Sequence, residues 1–395
     1  MRGSEAQALG TAGADLATDV TGWVEGVHRA VSARVFRSIG PVAAPVQVVH
    51  DAIAGAVHST VRTLVVGGVR LAGTVGALAL DETRPSLDAT PAGAAVKSAV
   101  NGVLGDRLER EAPALAVVAS WRHDGQDVTA TELVRRTDAP SSHVAVFVHG
   151  LCESEAAWGW RTARHGTVGG HPARVAAELG VTPALVRLNT GRGVADNGAD
   201  LSRLLDALVA AWPVEVERLT LVGHSMGGLV SRAAAVDGAR RSSAWVGALG
   251  DVVCLGTPLL GAPLERAATA GAALLASLPE TAPFGSILEA RSVGITDLRV
   301  GDLVEDEWRA EGTEVAGRLA HVRTHVAAAT VGDRDRGVLA STVGDWLVPA
   351  SSAAGASRRR RLHTDSSLHL ARADHFDLLA DRRVGDHLVE LLRRR

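Results

Sequence analysis

The stretch that decides the fold is Leu219-Thr220-Leu221-Val222-Gly223-His224-Ser225-Met226-Gly227-Gly228-Leu229-Val230. Four residues of strand character run straight into the pattern G-x-S-x-G, and a helical pattern begins near Gly228. A serine at that junction stands on a sharp strand-to-helix turn, where side chains two residues to either side clash unless they are small. Gly223 and Gly227 meet that requirement. So loose a pattern arises by chance on the order of 0.3 times in a glycine-rich chain of this length, so the setting carries the reading and the pattern alone does not.

Outward from that turn, apolar runs alternate with helical patterns. Strands are expected at Leu115 to Trp121, Val144 to Val148, Ala184 to Leu188, Val252 to Leu255 and His325 to Val331. Between them, Leu201, Leu204, Leu205, Leu208 and Val209 keep helical spacing. This alternation predicts an α/β domain over residues 111–395, a mostly parallel sheet with helices on both faces. The stretch from Leu259 to Arg323 is too long for a plain crossover and is expected to be an inserted helical lid. Its Leu274, Leu275, Leu278, Phe284, Ile287 and Leu288 are the expected lining of an acyl pocket.

Residues 1–110 read differently. Val20, Val24, Val27, Val31 and Val35 form one helical stripe, Val57, Val61, Leu64, Gly68, Leu71, Val75 and Leu78 a second, and Val96, Val100, Val103 and Leu104 a third. Pro41 and Pro45 break the first run, and Asp81 to Pro91 reads as a linker. An N-terminal amphipathic helical region follows, which packs on the main domain, self-associates, or lies peripherally on a lipid or storage-granule surface. Thr63 to Leu80 carries Arg70 and four glycines, which favours an amphipathic helix over a membrane span.

The 395 residues are 46% apolar and 22% charged with a formal net charge of −3, enough apolar content for a full core and no basic footprint for nucleic acid. Cys152 and Cys254 form neither a disulfide framework nor a zinc spacing, and Met1 to Thr18 lacks the basic cap and apolar run of a secretory signal. A cytoplasmic setting is the expectation. The sole lysine, Lys97, follows Val96 and not a glycine, so no Walker A is present; Asp196 stands where a dinucleotide fingerprint needs its third glycine. No metal or organic cofactor is expected.

A serine hydroxyl needs a base to take its proton and an acid to fix that base's tautomer. Downstream of Ser225, Gly344-Asp345-Trp346-Leu347-Val348-Pro349 offers Asp345, with Asp333 and Asp335 as rivals nearer the strand end. Asp374-His375-Phe376 offers His375 just before the last helix. His363 and His369 are the rival bases, in a polar stretch after Arg358 to Arg361 that reads as a solvated loop. Negative charge on the substrate oxygen calls for two N–H donors, expected from Met226 after the nucleophile and from Leu151 in the loop after Val148, where Gly150 admits a close approach. His149 is read as shaping that loop, and Cys152 as a buried or loop thiol.

Together, His149-Gly150, Gly223 to Gly228, Gly256-Thr257-Pro258, Gly344-Asp345 to Val348-Pro349 and His375-Phe376 resemble the α/β-hydrolase esterase and lipase superfamily, in particular bacterial lipases and GPI inositol-deacylase-like lipases. The resemblance spans roughly residues 111–395. It implies an α/β-hydrolase fold, a cofactor-free Ser225-His375-Asp345 triad, an oxyanion hole from Leu151 and Met226, and hydrolysis of small-molecule or lipidic carboxylic esters. Similar lipases often have histidine after Gly-Thr-Pro where this chain has Leu259, and GPI anchors are not the expected substrate. An intracellular polyester depolymerase or an acyltransferase is the alternative on the same fold. A non-catalytic scaffold is the alternative from another class.

Overall fold

The computed structural model describes residues 1–14, 17–18, 44–81, 83–84, 86–262, 292–301, 304–333, 344–357 and 361–393. The chain divides into two compact units, one of Met1–Asp88 with Arg107–Ala116 and a larger one of Ala89–Asp106 with Val117–Arg395.

The larger unit is built on eight strands: β1 (Ser120–His123), β2 (Gln126–Val128), β3 (His143–Val148), β4 (Thr182–Arg187), β5 (Arg218–His224), β6 (Leu249–Leu255), β7 (Arg323–Thr330) and β8 (Ser366–Ala371). Their order across the sheet is β2-β1-β4-β3-β5-β6-β7-β8. β1 runs antiparallel to β2 and β4, and every other pairing is parallel. The two-residue period of a strand sends alternate side chains to opposite faces. Val144, Val146 and Val148 of β3 accordingly join one core with Leu201, Leu205 and Leu208 of the helix Val194–Ala211, while Ala145 and Phe147 join the other with Leu388, Leu391 and Leu392 of the helix Arg382–Arg393. Both faces are covered, which is why the central strands read as unbroken apolar runs. This is the α/β-hydrolase architecture.

From β3 the chain steps to β4 on one side and then returns across β3 to β5 on the other. Such a reversal opens a crevice at the carboxyl ends of the strands it separates. Those ends carry His149 to Leu151 after β3 and Ser225 after β5.

Several expectations shift. Leu115 and Val117 are buried, yet the strand begins only at Ser120; a covered loop has the same apolar signature as a strand. β2 and β8 were not legible: β2 is three residues beyond a tight turn, and β8 is an edge strand with Ser367 and His369 exposed. His369 therefore lies on a strand and not in a solvated loop. The third helical stripe forms the helix Pro91–Glu111, but its residues up to Asp106 belong to the larger unit, not to a separate region ending at residue 110. Asn101 is buried there and its Oδ1 accepts the Val117 N–H at 2.7 Å. Of the expected lid, the helices Val293–Val300, Glu305–Trp308 and Glu314–Leu319 are described. Residues 263–291, with the expected acyl-pocket lining, and the stripe from Val20 to Val35 lie outside the described residues.

In the smaller unit a helix over residues 3–14 packs on the helix Ala44–Ala79 where Gly10 meets Gly73. Pro45 falls in the first turn of that longer helix, where a missing N–H costs nothing. Val57, Leu64, Leu71, Val75 and Leu78 are exposed, Leu78 to 86%. The segment Val57–Ala79 has a mean hydropathy of 1.3 and is long and apolar enough to cross a membrane.

Candidate active site

Ser225 leaves β5 with φ 53° and ψ −123°, a conformation that L residues avoid and that active-site turns hold by their surroundings. Here the surroundings are backbone. A Cβ on residue 223 would lie 2.3 Å from the Gly228 nitrogen, and one on residue 227 would lie 2.3 Å from the Val148 carbonyl oxygen. The two glycines are what let the turn close. The Ser225 N–H is tied to the Leu255 carbonyl at 2.8 Å, and the helix Met226–Arg240 starts at the next residue.

Asp345 and His375 meet. His375 Nδ1 lies 2.7 Å from Asp345 Oδ2, and the His375 main-chain N–H donates to the Asp345 carbonyl at 3.1 Å. Asp345 is fully buried, and its Oδ1 accepts the N–H groups of Leu347 at 3.0 Å and Val348 at 2.8 Å. Gly344 makes this turn possible: at φ +58°, a Cβ there would strike the Val348 carbonyl oxygen at 2.0 Å. Asp374 accepts the N–H groups of Phe376 and Asp377, starting the short turn His375–Leu379, and Arg161 Nη1 holds Asp374 at 2.6 Å. With its Nδ1 donating to Asp345, His375 presents Nε2 as an acceptor, and among the described residues Nε2 has no hydrogen-bond partner. Burial pulls the imidazolium of His375 down, but the charge and hydrogen bond of Asp345, with smaller contributions from Glu153 and Asp374, outweigh it and raise the group above its ordinary 6.5.

The expected oxyanion donors are unspent. Among Gly150, Leu151, Cys152 and Glu153, three N–H groups are used: Gly150 to Glu153 Oε2, Cys152 to Thr190 Oγ1 and Glu153 to the Gly150 carbonyl. Leu151 keeps its N–H without an acceptor among the described residues, as does Met226 in the first turn of its helix. Gly150 borders Ser225 so closely that a Cβ there would stand 2.9 Å from the Ser225 Cβ. The Ser225 Oγ makes no hydrogen bond among the described residues. The His375 ring is 4.7 Å from that of His224, the residue immediately before Ser225.

The rival groups lie elsewhere. Asp333 is exposed and paired with Arg372, His363 is exposed near Asp365, and His369 bonds Thr330 Oγ1 at 2.9 Å. Asp335 lies outside the described residues. His149 shapes its loop: Nε2 accepts the Leu188 N–H at 3.0 Å, so the ring proton is on Nδ1 and donates to the Gly150 carbonyl, while burial lowers its proton affinity. Cys152 is buried, and burial together with the Glu153 charge pushes its thiol up to about 12, which leaves it inert. Neither cysteine is in a disulfide, and among the described residues no three metal-binding side chains converge.

Two further polar residues belong to this site: Glu153, and His224 at the x position of the turn motif. Both are buried, and they lie 2.9 Å apart. The only sequence signal is a carboxylate three residues beyond His149-Gly150 and a polar residue where the turn motif allows any.

The sequence profile of the PGAP1-like alpha/beta domain matches residues 202–331, a span that holds the Ser225 turn and strands β5 to β7. No curated protein matches the chain. Among solved structures, the mature lipase BlEst2 of Bacillus licheniformis is 22% identical with a TM-score of 0.44, covering 65% of this chain and 94% of that one. A thermophilic esterase of Thermogutta terrifontis is 15% identical with a TM-score of 0.37, covering 64% and 90%. An esterase of Pyrococcus furiosus is 16% identical with a TM-score of 0.38, covering 65% and 83%.

Proposed function

From the premise of an α/β-hydrolase with the fold of esterases and lipases, we propose that this protein is a serine hydrolase that cleaves carboxylic esters through an acyl-serine intermediate. The observation that carries the proposal is the pairing of buried Asp345 with His375 Nδ1 at 2.7 Å, which leaves Nε2 unspent at the strand end that holds the strained Ser225. In this reading His375 Nε2 takes the Ser225 proton as Oγ attacks the ester carbonyl, and returns it to the leaving alcohol. Asp345 holds the ring tautomer and stabilises the imidazolium. The N–H groups of Leu151 and Met226 receive the charge on the carbonyl oxygen, about 3–4 kcal/mol per donor, with the dipole of the helix Met226–Arg240 adding to it. Water activated by His375 then releases the acid. No cofactor enters this scheme.

The exposed stripe Val57, Leu64, Leu71, Val75 and Leu78 supports a lipidic ester presented at an apolar surface, with this helix resting on it. A chain-length series of nitrophenyl esters tests the chemistry: turnover that is lost in Ser225→Ala is expected, and turnover that survives the substitution contradicts the proposal. Flotation with phosphatidylcholine vesicles tests the surface: wild-type should float and Leu64→Glu/Leu71→Glu/Leu78→Glu should not. Equal flotation, or a wild-type dimer dispersed by the same substitutions, argues for self-association instead.

A further inference from the structure

Behind Ser225 lies a second carboxylate–imidazole pair that the catalytic scheme does not use. Glu153 is 3% exposed and His224 fully buried, and His224 Nδ1 stands 2.9 Å from Glu153 Oε1 and 3.0 Å from Oε2. Each member of the pair has one further bond. Glu153 Oε2 accepts the Gly150 N–H at 2.7 Å, in the loop that ends β3. His224 Nε2 is 3.2 Å from the main-chain carbonyl of His375, in the loop that holds the candidate base. A carbonyl only accepts, so Nε2 carries a proton and donates, and Nδ1 faces the Glu153 carboxylate.

The result is one continuous chain of hydrogen bonds from the Gly150 N–H through Glu153 and His224 to the His375 carbonyl. It joins three loops that the fold brings together from sequence positions about 150, 224 and 375. Both side chains are sealed: the His224 ring packs against Trp158 at 6.5 Å, His375 at 4.7 Å and Phe376 at 6.3 Å between centroids. With no free ring nitrogen, His224 has nothing to offer a substrate. With Gly150 committed to Glu153, Leu151 is left as the unspent donor of its turn.

We infer that Glu153 and His224 are positioning residues that act as one unit, setting the oxyanion loop and the base loop in register around Ser225. The inference rests on the ester-hydrolase reading above. Interactions that matter at the transition state lower kcat when lost and leave KM near its value, and misplacing a reacting group by about 1 Å costs about 10²-fold. Members of one unit are also non-additive. The Gln side chain can repeat the pattern of Glu153, its carbonyl accepting from Gly150 and its amide donating to neutral Nδ1.

The test is steady-state kinetics on a nitrophenyl ester with the full chain. Glu153→Ala and His224→Ala should each lose about 10²-fold in kcat with KM within about twofold, the double variant should lose about as much as one single, and Glu153→Gln should return to within about tenfold of wild-type. Folded single variants with wild-type kcat overturn the inference, and so does a double variant whose loss is the product of the two. Where the alanine variants fail to fold, His224→Asn keeps a donor toward Glu153 and gives up the one toward His375; the same kcat loss is expected there, and full activity overturns the inference. An active wild-type with full-rate variants removes this inference alone, whereas a wild-type with no turnover removes the ester-hydrolase reading and this inference with it.

Discussion

Two imidazole–carboxylate pairs, their rings 4.7 Å apart, differ in one respect. In the Asp345–His375 pair one ring nitrogen is tied and the other is unspent among the described residues. In the Glu153–His224 pair both nitrogens are tied. Burial and a nearby carboxylate are common to the two, so neither makes a histidine a base. What separates them is an available lone pair, and that is set by which carbonyl each ring faces.

This contrast is broken or sharpened most strongly at the ends of the proton path. Ser225→Ala and His375→Ala should each remove on the order of 10⁶-fold in kcat, measured with a nitrophenyl ester, and neither should be compounded by the other because they act as one unit. Asp345→Asn should follow at about 10⁴-fold, since an amide at that position favours the wrong tautomer of His375. The Glu153 and His224 variants should come next, two orders of magnitude below, which is the distance between making the base and holding it in place.

Proton affinity gives a subtler test. In the proposed scheme neutral His375 acts as the base, and Asp345 raises the group above 6.5, so kcat/KM of wild-type should fall as pH drops through a midpoint above that value. The residual activity of Asp345→Asn should have its acid limb at lower pH, because the charge that favoured the imidazolium is gone. A limb that stays put, or moves up, would mean that another group titrates. The smallest effect belongs to Cys152, which sits beside both Leu151 and Glu153. With its thiol held near 12, iodoacetamide at neutral pH should leave native activity within about twofold of the untreated enzyme and leave Cys152 unmodified in a peptide map.

How much of this was legible in the sequence follows from the range over which each constraint acts. The Ser225 turn was readable because its requirement is local: strand, two small residues, helix. The parallel strands were readable because burial on both faces leaves unbroken apolar runs such as Val144 to Val148. Asp345 and His375 needed the order of elements as well, and the acid stayed ambiguous because Asp333 and Asp335 offer the same chemistry nearer the strand. Only the closed turn at Gly344 shows why Asp345 faces inward while Asp333 pairs with Arg372 in solvent. The Glu153–His224 pair was illegible because its meaning lies in contacts across about 70 and 150 residues of chain. β8 was missed for the opposite reason: an edge strand exposes polar side chains and loses the apolar run that marks the others.

Treatment of the native protein with a fluorophosphonate, followed by peptide mapping, tests the central claim most directly. One adduct on Ser225 that is absent from His375→Ala is the result this account predicts. A folded protein that takes up no reagent, or takes it up at another residue, would contradict it.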